Sequence, residues 1–155
     1  MNTAKKGKGK QDLRVFLSYA TADREYGRRL RGLLSKRSNL RIFTTETLSA
    51  GEDWESKLRD ELSQSDIFVV LLSLNSVDSG WVLHELGAAW ALDKPIIPVV
   101  TNSEVFSKIP MDLRKAQLIE VECLESHPQV IKQILERYEE AAASDDGGQE
   151  VSFQQ

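Results

Sequence analysis

The chain holds a single cysteine, Cys123, and only two histidines, His84 and His127, far apart in sequence. One thiol forms no internal disulfide, and so few scattered ligands make no zinc cage, so no metal is expected. Cys123 closes an apolar run, where a buried thiol is expected. No apolar stretch is long enough to span a bilayer, and the N-terminal lysines lack the apolar core of a signal peptide behind them. A cytoplasmic protein without a membrane partner is expected. A basic excess is also missing: the net charge of -4 argues against non-specific binding to nucleic acid. Between Ser18 and Asp23, where a Walker loop needs glycines, there is none. The third apolar strand ends in Leu72 and Ser73, without the aspartate of a phosphoacceptor receiver.

What is present suits one soluble domain, with 41% hydrophobic and 28% charged residues in 155. Residues 1–11 carry Lys5, Lys6, Lys8 and Lys10 with almost nothing to bury, and are expected as a disordered basic tail. Residues 143–155 are polar and glycine-containing, and a second disordered tail is expected there. That leaves 12–142 as the domain.

Within it, strands are predicted at Leu13–Leu17, Leu40–Thr44, Ile67–Leu72, Ile96–Val100 and Gln117–Val121. Helical spacing intervenes: Tyr26, Leu30, Leu33 and Leu34 in the first helix, Trp54, Leu58 and Leu62 in the second. Leu83, Leu86, Ala89 and Trp90 mark the third, expected to face inward, and Val130, Ile131, Ile134, Leu135 and Tyr138 the last. Ile67–Leu72 is continuously apolar, which suits a central strand covered on both faces. Alternation of this kind predicts an α/β, flavodoxin-like fold, a five-stranded parallel sheet with helices on both faces. Ligands of such sheets sit outside the carboxyl ends of the strands. The loops at Ser18–Thr21, Thr44–Glu52 and Ser73–Glu85 should therefore converge on one crevice, with Gly51 supplying a turn that a side chain would obstruct.

The chain is organised around Ser79 to Leu86, a loop opening into a helix that sets Trp81 and Glu85 four residues apart on one face. Two plain readings stay open at this point. An acid near a helix start complements the macrodipole, and Trp81 can be a core residue. Around the pair the crevice offers hydroxyls from Ser18, Thr44, Thr45 and Ser73 and rings from Tyr19 and Phe43. One carboxylate is too little for an ordinary glycosidase, which needs a proton donor as well as a group to stabilise the sugar cation. The nicotinamide bond of NAD is different, because its pyridinium is already cationic and leaves as a neutral base. A single carboxylate in a water-poor cleft can then stabilise the charge growing on the ribose.

At these residues the chain resembles a Toll/interleukin-1 receptor (TIR) domain. The motifs are Val15 to Tyr19 (V-F-L-S-Y), Ile42 and Phe43 with Thr47 to Gly51 and Trp54 for the second strand and the BB loop, Val69 to Ser73, Trp81 to Leu86 (W-V-L-H-E-L), and Lys94 to Val99 (K-P-I-I-P-V). They follow the family's order over roughly residues 12–142. TIR domains divide into enzymes that cleave NAD and adaptors that assemble signalling complexes. The resemblance implies that Glu85 is the catalytic acid of the W-x-x-x-E pattern, and that Ser18, Tyr19 and Ala20, with Phe43, Thr44 and Thr45, line the NAD cleft. Ser73 and Trp81 complete that set, and the loop from Leu48 helps close the cleft. NAD is then the substrate, and no cofactor is expected. The product is ADP-ribose or a cyclic isomer.

The resemblance extends to bacterial antiphage TIR proteins of the Thoeris type, which implies antiviral defence, self-assembly with other TIR chains when activated, and a downstream effector that senses the product. The alternative is a non-catalytic scaffold acting through TIR–TIR assembly, with the Leu48 to Trp54 loop as its contact patch. A third reading is a nucleoside deoxyribosyltransferase-like enzyme, which the W-V-L-H-E-L and S-Y placements fit less well. Two positions depart from many relatives: Ala20 stands where an arginine is usual, and Thr45 where an aspartate is usual.

Overall fold

The computed structural model describes residues 12–37, 39–48, 51, 53–109, 113 and 118–145. Five parallel strands form one sheet: β1 (Leu13–Ser18), β2 (Leu40–Thr44), β3 (Ile67–Leu72), β4 (Ile96–Val100) and β5 (Ile119–Glu120). Their order is β2-β1-β3-β4-β5, so the direction of winding reverses beside β1, as the flavodoxin-like reading requires. Every residue of the central β3 is buried, in keeping with its unbroken apolar run.

Among the described residues five helices with defined bounds pack on the sheet: α1 (Arg24–Leu34), α2 (Trp54–Gln64), α3 (Gly80–Ala91), α4 (Val121–Ser126) and α5 (Gln129–Asp145). Side chains alternate across a strand, and β1 shows the consequence. Leu13, Val15, Leu17 and Tyr19 face one core, with Leu30 and Leu34 of α1, Leu124 of α4, and Ile131 and Leu135 of α5. Phe16 and Ala20 face the other, with Leu58 and Leu62 of α2 and Val82, Leu86 and Ala89 of α3. Both ends of α2 are tied down. Asp53 caps α2 by accepting the Ser56 N–H at 3.3 Å, and Lys94 donates to the carbonyls of Ser63 and Ser65 at the other end of α2, both at 2.7 Å.

Pro98 lies inside β4, where a missing N–H needs a reason. Pro95 accepts from Phe68, and Thr101 donates to Leu72, so the odd-numbered residues of β4 bond to β3. Pro98 therefore turns toward β5, whose described pairs are with Val99 and Val100. Among the described residues no ladder bond is lost.

Several expectations shift. The fifth strand, expected over Gln117–Val121, is only Ile119–Glu120, because Val121 opens α4, a helix that the short spacing did not reveal. Cys123 is exposed, since a helix turns it outward where a strand would have buried it. In α3 the inward stripe is Val82, Glu85, Leu86 and Ala89; Leu83 is exposed and Trp90 is 70% exposed. Gly51 has φ +95°, the left-handed region, yet no atom lies within 4 Å of where a Cβ would stand. Its need is conformational and not one of space. Helix α5 runs to Asp145, past the expected limit of 142, while residues 1–11 and 146–155 of the expected tails lie outside the described residues. No described helix is long and apolar enough to cross a membrane.

Candidate active site

Ser79 accepts the Val82 N–H at 3.5 Å and starts α3, whose buried residues then fall at i, i+3, i+4 and i+7. Three of those four positions are apolar. The other is Glu85, and it is only 1% exposed. No acid occupies the first turn of α3, so the macrodipole does not account for this one. The Ser18 hydroxyl at the end of β1 donates to Glu85 Oε2. Oε1 is buried with no hydrogen-bond partner among the described residues. Burial raises the carboxyl to about 7, against which the Ser18 hydroxyl and the Trp81 indole pull only partly.

One turn earlier on α3, Trp81 is 37% exposed and meets Trp54, 50% exposed at the start of α2, with ring centroids 5.3 Å apart and planes at 50°. Trp81 is thus a surface residue of the site and not core. Phe43 packs on Phe16 at 5.2 Å, on the same side of the sheet as Glu85. Ala20 is buried in that layer as well. Thr44 ends β2 with its hydroxyl buried and without a partner of good geometry among the described residues. Thr45 opens a single turn, Thr45–Thr47, closed by the Leu48 N–H donating to the Thr45 carbonyl at 3.2 Å. Both Thr45 and Leu48 are half-buried.

Three of the expected residues point elsewhere, and Thr44, in register with Leu17, is one, since Leu17 belongs to the layer opposite Glu85. Tyr19 lies in the opposite layer, packed so closely on α1 that a Cβ at Gly27 would come within 2.6 Å of its ring. Its hydroxyl is raised to about 12, first by burial and then by its hydrogen bond to Glu46. Alternation along β1 makes this unavoidable: with Ser18 turned to Glu85, Tyr19 must turn away. The Ser73 hydroxyl donates to Asp23 Oδ2 at 2.5 Å, and Asn75 Nδ2 donates to Asp23 Oδ1 at 3.1 Å. Ser73 Oγ in turn accepts the N–H groups of Asn75 and Ser76, each at 3.0 Å. Ser73 is therefore a structural tie between the β1–α1 and β3–α3 loops.

Sequence reasoning missed Asp23, which is buried at the centre of that tie, along with Asn75 and Ser76. An aspartate just ahead of a helix reads as a cap, and only the fold shows that it bonds to another loop. It missed Glu46 too, which lies between Arg24 and Tyr19. The three strand-end loops do converge, joined by Ser18 to Glu85, Asp23 to Ser73 and Trp54 to Trp81. Among the described residues no group of three His, Cys, Asp or Glu side chains could hold a metal ion.

A family model described as TIR domain matches residues 15–135. This chain belongs to the TIR domain family. Solved structures agree in fold. The TIR domain of a Toll-related receptor from Hydra magnipapillata aligns with a TM-score of 0.64 at 17% identity, over 80% of this chain and 96% of that one. A metazoan TIR-STING receptor from C. gigas aligns at 0.56 and 22% identity, over 68% of this chain and 36% of the receptor. A CMP N-glycosidase from Clostridium botulinum aligns at 0.53 and 16% identity, over 77% and 98%. No match was found among curated proteins. At these identities the likeness establishes a TIR fold, and the arguments about chemistry rest on the residues themselves.

Proposed function

We propose that this TIR domain cleaves the nicotinamide–ribose bond of NAD, with Glu85 as the catalytic carboxylate. The observation that carries the reading is the environment of Glu85: a carboxylate buried in an apolar stripe, with the Trp81 indole nearby, one oxygen held by Ser18 and the other without a partner of good geometry among the described residues. A buried polar atom left unpaired costs roughly 1–3 kcal/mol, and such a cost is retained where a ligand supplies the missing bond. A ribose hydroxyl is a donor of the right kind for Oε1. As the C–N bond breaks, the bonding pair leaves with nicotinamide and positive charge develops on the ribose. The ionised carboxylate stabilises that charge without any proton having to reach the leaving base.

Ser18 fixes the carboxylate, and the indoles of Trp81 and Trp54 offer faces for a flat base at the mouth. Phe43 and Ala20 wall the cleft from the β2 side, while Thr44, in register with Leu17, turns toward the Tyr19 layer. Thr45 and Leu48 flank the cleft from the turn after β2, and Glu85, buried in this conformation, becomes reachable only when a path to it opens. Neither the Tyr19 ring nor the Ser73 hydroxyl faces the reacting centre, and their roles are to support α1 and the β3–α3 loop. Attack by water gives ADP-ribose, and attack by a nucleophile of the same molecule gives a cyclic isomer; exclusion of water favours the second.

The exposed Trp54 and Trp81 also favour a second reading, assembly with other TIR chains through that patch. The two are compatible if assembly opens a path to Glu85. Extended to its biological setting, this reading places the activity in the cytoplasm, in antiphage defence, with an effector that senses the product, as the resemblance to Thoeris-type TIR proteins implies. The test is nicotinamide release from NAD by concentrated protein, with mass spectrometry of the product. Wild type is expected to release it, and release by Glu85→Gln at the wild-type rate defeats the assignment.

A further inference from the structure

The β4–β5 flank of the sheet holds a cavity that the chemistry above does not use. β5 is only two residues long, because Val121 turns the chain into α4, and its described pairs are with Val99 and Val100. Residues 96–98 of β4 therefore run on with no described strand beside them, and Pro98 leaves no N–H there to satisfy. Between this stretch and α5 lies a cavity of about 200 Å³, lined by Ile97, Pro98, Ile119 and Ile134 together with Arg137 and Tyr138. Ile97 and Ile119 are buried and Arg137 is exposed, so the guanidinium marks the outer rim. Ile97, Ile119 and Ile134 also line a second void of about 20 Å³, further into the core, whose walls are leucine, isoleucine and valine throughout. Two spaces thus share three side chains, polar at one end and aliphatic at the other.

We infer that this is a binding site for a short aliphatic carboxylate, with its head at Arg137 and its chain along the three isoleucines toward the inner void. Charge selects the head group. The neighbouring acids of α5 are engaged, Glu136 at 3.8 Å from Lys132 and Glu139 by Arg37 at 3.2 Å and Asn39 at 2.9 Å. Arg137 has neither ion pair nor hydrogen bond among the described residues, and its planar fork matches a carboxylate. The walls select the rest. Isoleucine and proline side chains offer a sugar or a base nothing to bond to, whereas each methylene brought against them leaves water. Size sets the length: the outer cavity exceeds the roughly 150 Å³ at which an apolar cavity admits benzene, and falls short of the roughly 300 Å³ of a drug-sized site. The inner void has about the volume of one water and no polar wall, so it stays dry and can take the methyl end of a chain.

Ile97, Ile119 and Ile134 belong to the core on the other face of the sheet from Glu85, so this site stands or falls apart from the NAD reading. The test is isothermal titration of the full chain with octanoate, hexanoate and octan-1-ol below their aggregation limits, with methyl NMR of isoleucine-labelled protein. Octanoate is expected to bind at one site and to shift the methyl signals of Ile97, Ile119 and Ile134 while leaving that of Ile42 in place. Hexanoate, two methylenes shorter, is expected to bind about tenfold more weakly. Arg137→Gln is expected to weaken octanoate at least about tenfold and to leave octan-1-ol unchanged, with the wild-type melting temperature. Ile134→Trp, which fills the cavity, is expected to remove both ligands. Absence of octanoate binding overturns the proposal, as does equal binding by wild type and Arg137→Gln, or methyl shifts spread over both cores. Glu85→Gln is expected to bind octanoate as wild type does. Nicotinamide release without octanoate binding removes this inference alone, and octanoate binding without nicotinamide release removes the NAD reading alone.

Discussion

Two glutamates at the same end of the sheet have opposite problems. Glu85 is buried and has too few partners; Glu46 is partly exposed and has more positive charge around it than it can neutralise. A residue kept only for stability is seldom placed as Glu85 is, because glutamine or methionine would fill the same stripe without an ionisable group. Glu46 is the opposite case, an ion pair near the surface that contributes little to stability. The difference teaches that the molecule stores its cost at one acid and holds the other in readily broken contacts. The catalytic reading proposed for Glu85 accounts for that form.

The largest effect should come from breaking the first acid. Glu85→Gln is expected to reduce nicotinamide release by at least about a hundredfold, the scale of a lost electrostatic stabiliser. Wild-type kcat/KM should rise with pH through about 7 and level off above it, because the carboxylate must be ionised and burial has raised it to that value. The kcat profile should lie lower in pH, since the cationic substrate favours the ionised form. A rate that is flat from pH 5 to 8 would place the essential group elsewhere.

Stability gives the next largest effect, with the opposite sign. Below the ordinary value of 4.5 the carboxyl is protonated in both folded and unfolded chains. As pH rises toward 7 the unfolded chain releases a proton that the folded chain keeps, so stability falls. The loss is on the order of 3 kcal/mol once pH exceeds 7, from about 1.4 kcal/mol per unit. Urea unfolding at pH 5 and pH 8 should show that fall in wild type over and above any seen in Glu85→Gln. Equal slopes in the two proteins would mean that the carboxyl is not held in this environment.

Why the two acids differed in legibility follows from the physics of each. Ile67–Leu72 and Leu40–Thr44 were readable to the residue, since continuous or β-branched apolar runs have few other uses. Glu85 was readable because a carboxylate four residues after an aromatic, in a loop that opens into a helix, is a local pattern. Its burial was not. The stripe Val82, Glu85, Leu86 and Ala89 competes in sequence with an equally apolar one through Leu83 and Trp90, and only packing on β3 and β4 chooses between them. Tyr19 was misplaced because strand alternation was applied to the sheet's faces but not carried into the exit loop. Glu46 and Asp23 had no signal at all, since each matters through a partner on a different loop.

Gly27→Ala sharpens the comparison from the Glu46 side. Its new methyl group must displace the Tyr19 ring from 2.6 Å, and overpacking of this kind costs roughly 1–3 kcal/mol. The loss should appear as a lowered urea midpoint at every pH, unlike the pH-dependent loss tied to Glu85. Because Ser18 faces the other layer, the pH at which kcat/KM reaches half its plateau should stay near 7. A shift in that pH would show that the two faces of β1 are coupled more tightly than side-chain alternation implies.

The smallest effect should come from Glu46 itself. An exposed pair of this kind contributes about 0–1 kcal/mol, so Glu46→Gln should move the urea midpoint by less than Gly27→Ala does. Removing the acid also leaves Arg24 and Arg28 facing each other, which offsets part of any gain from freeing the turn. Raising salt to 1 M shrinks the screening length to about 3 Å and should bring the wild-type and Glu46→Gln midpoints together. If they stay more than about 1 kcal/mol apart at high salt, the carboxylate is doing structural work through the Tyr19 hydroxyl. Its contacts would then not be readily broken, and the contrast with Glu85 would lose its meaning.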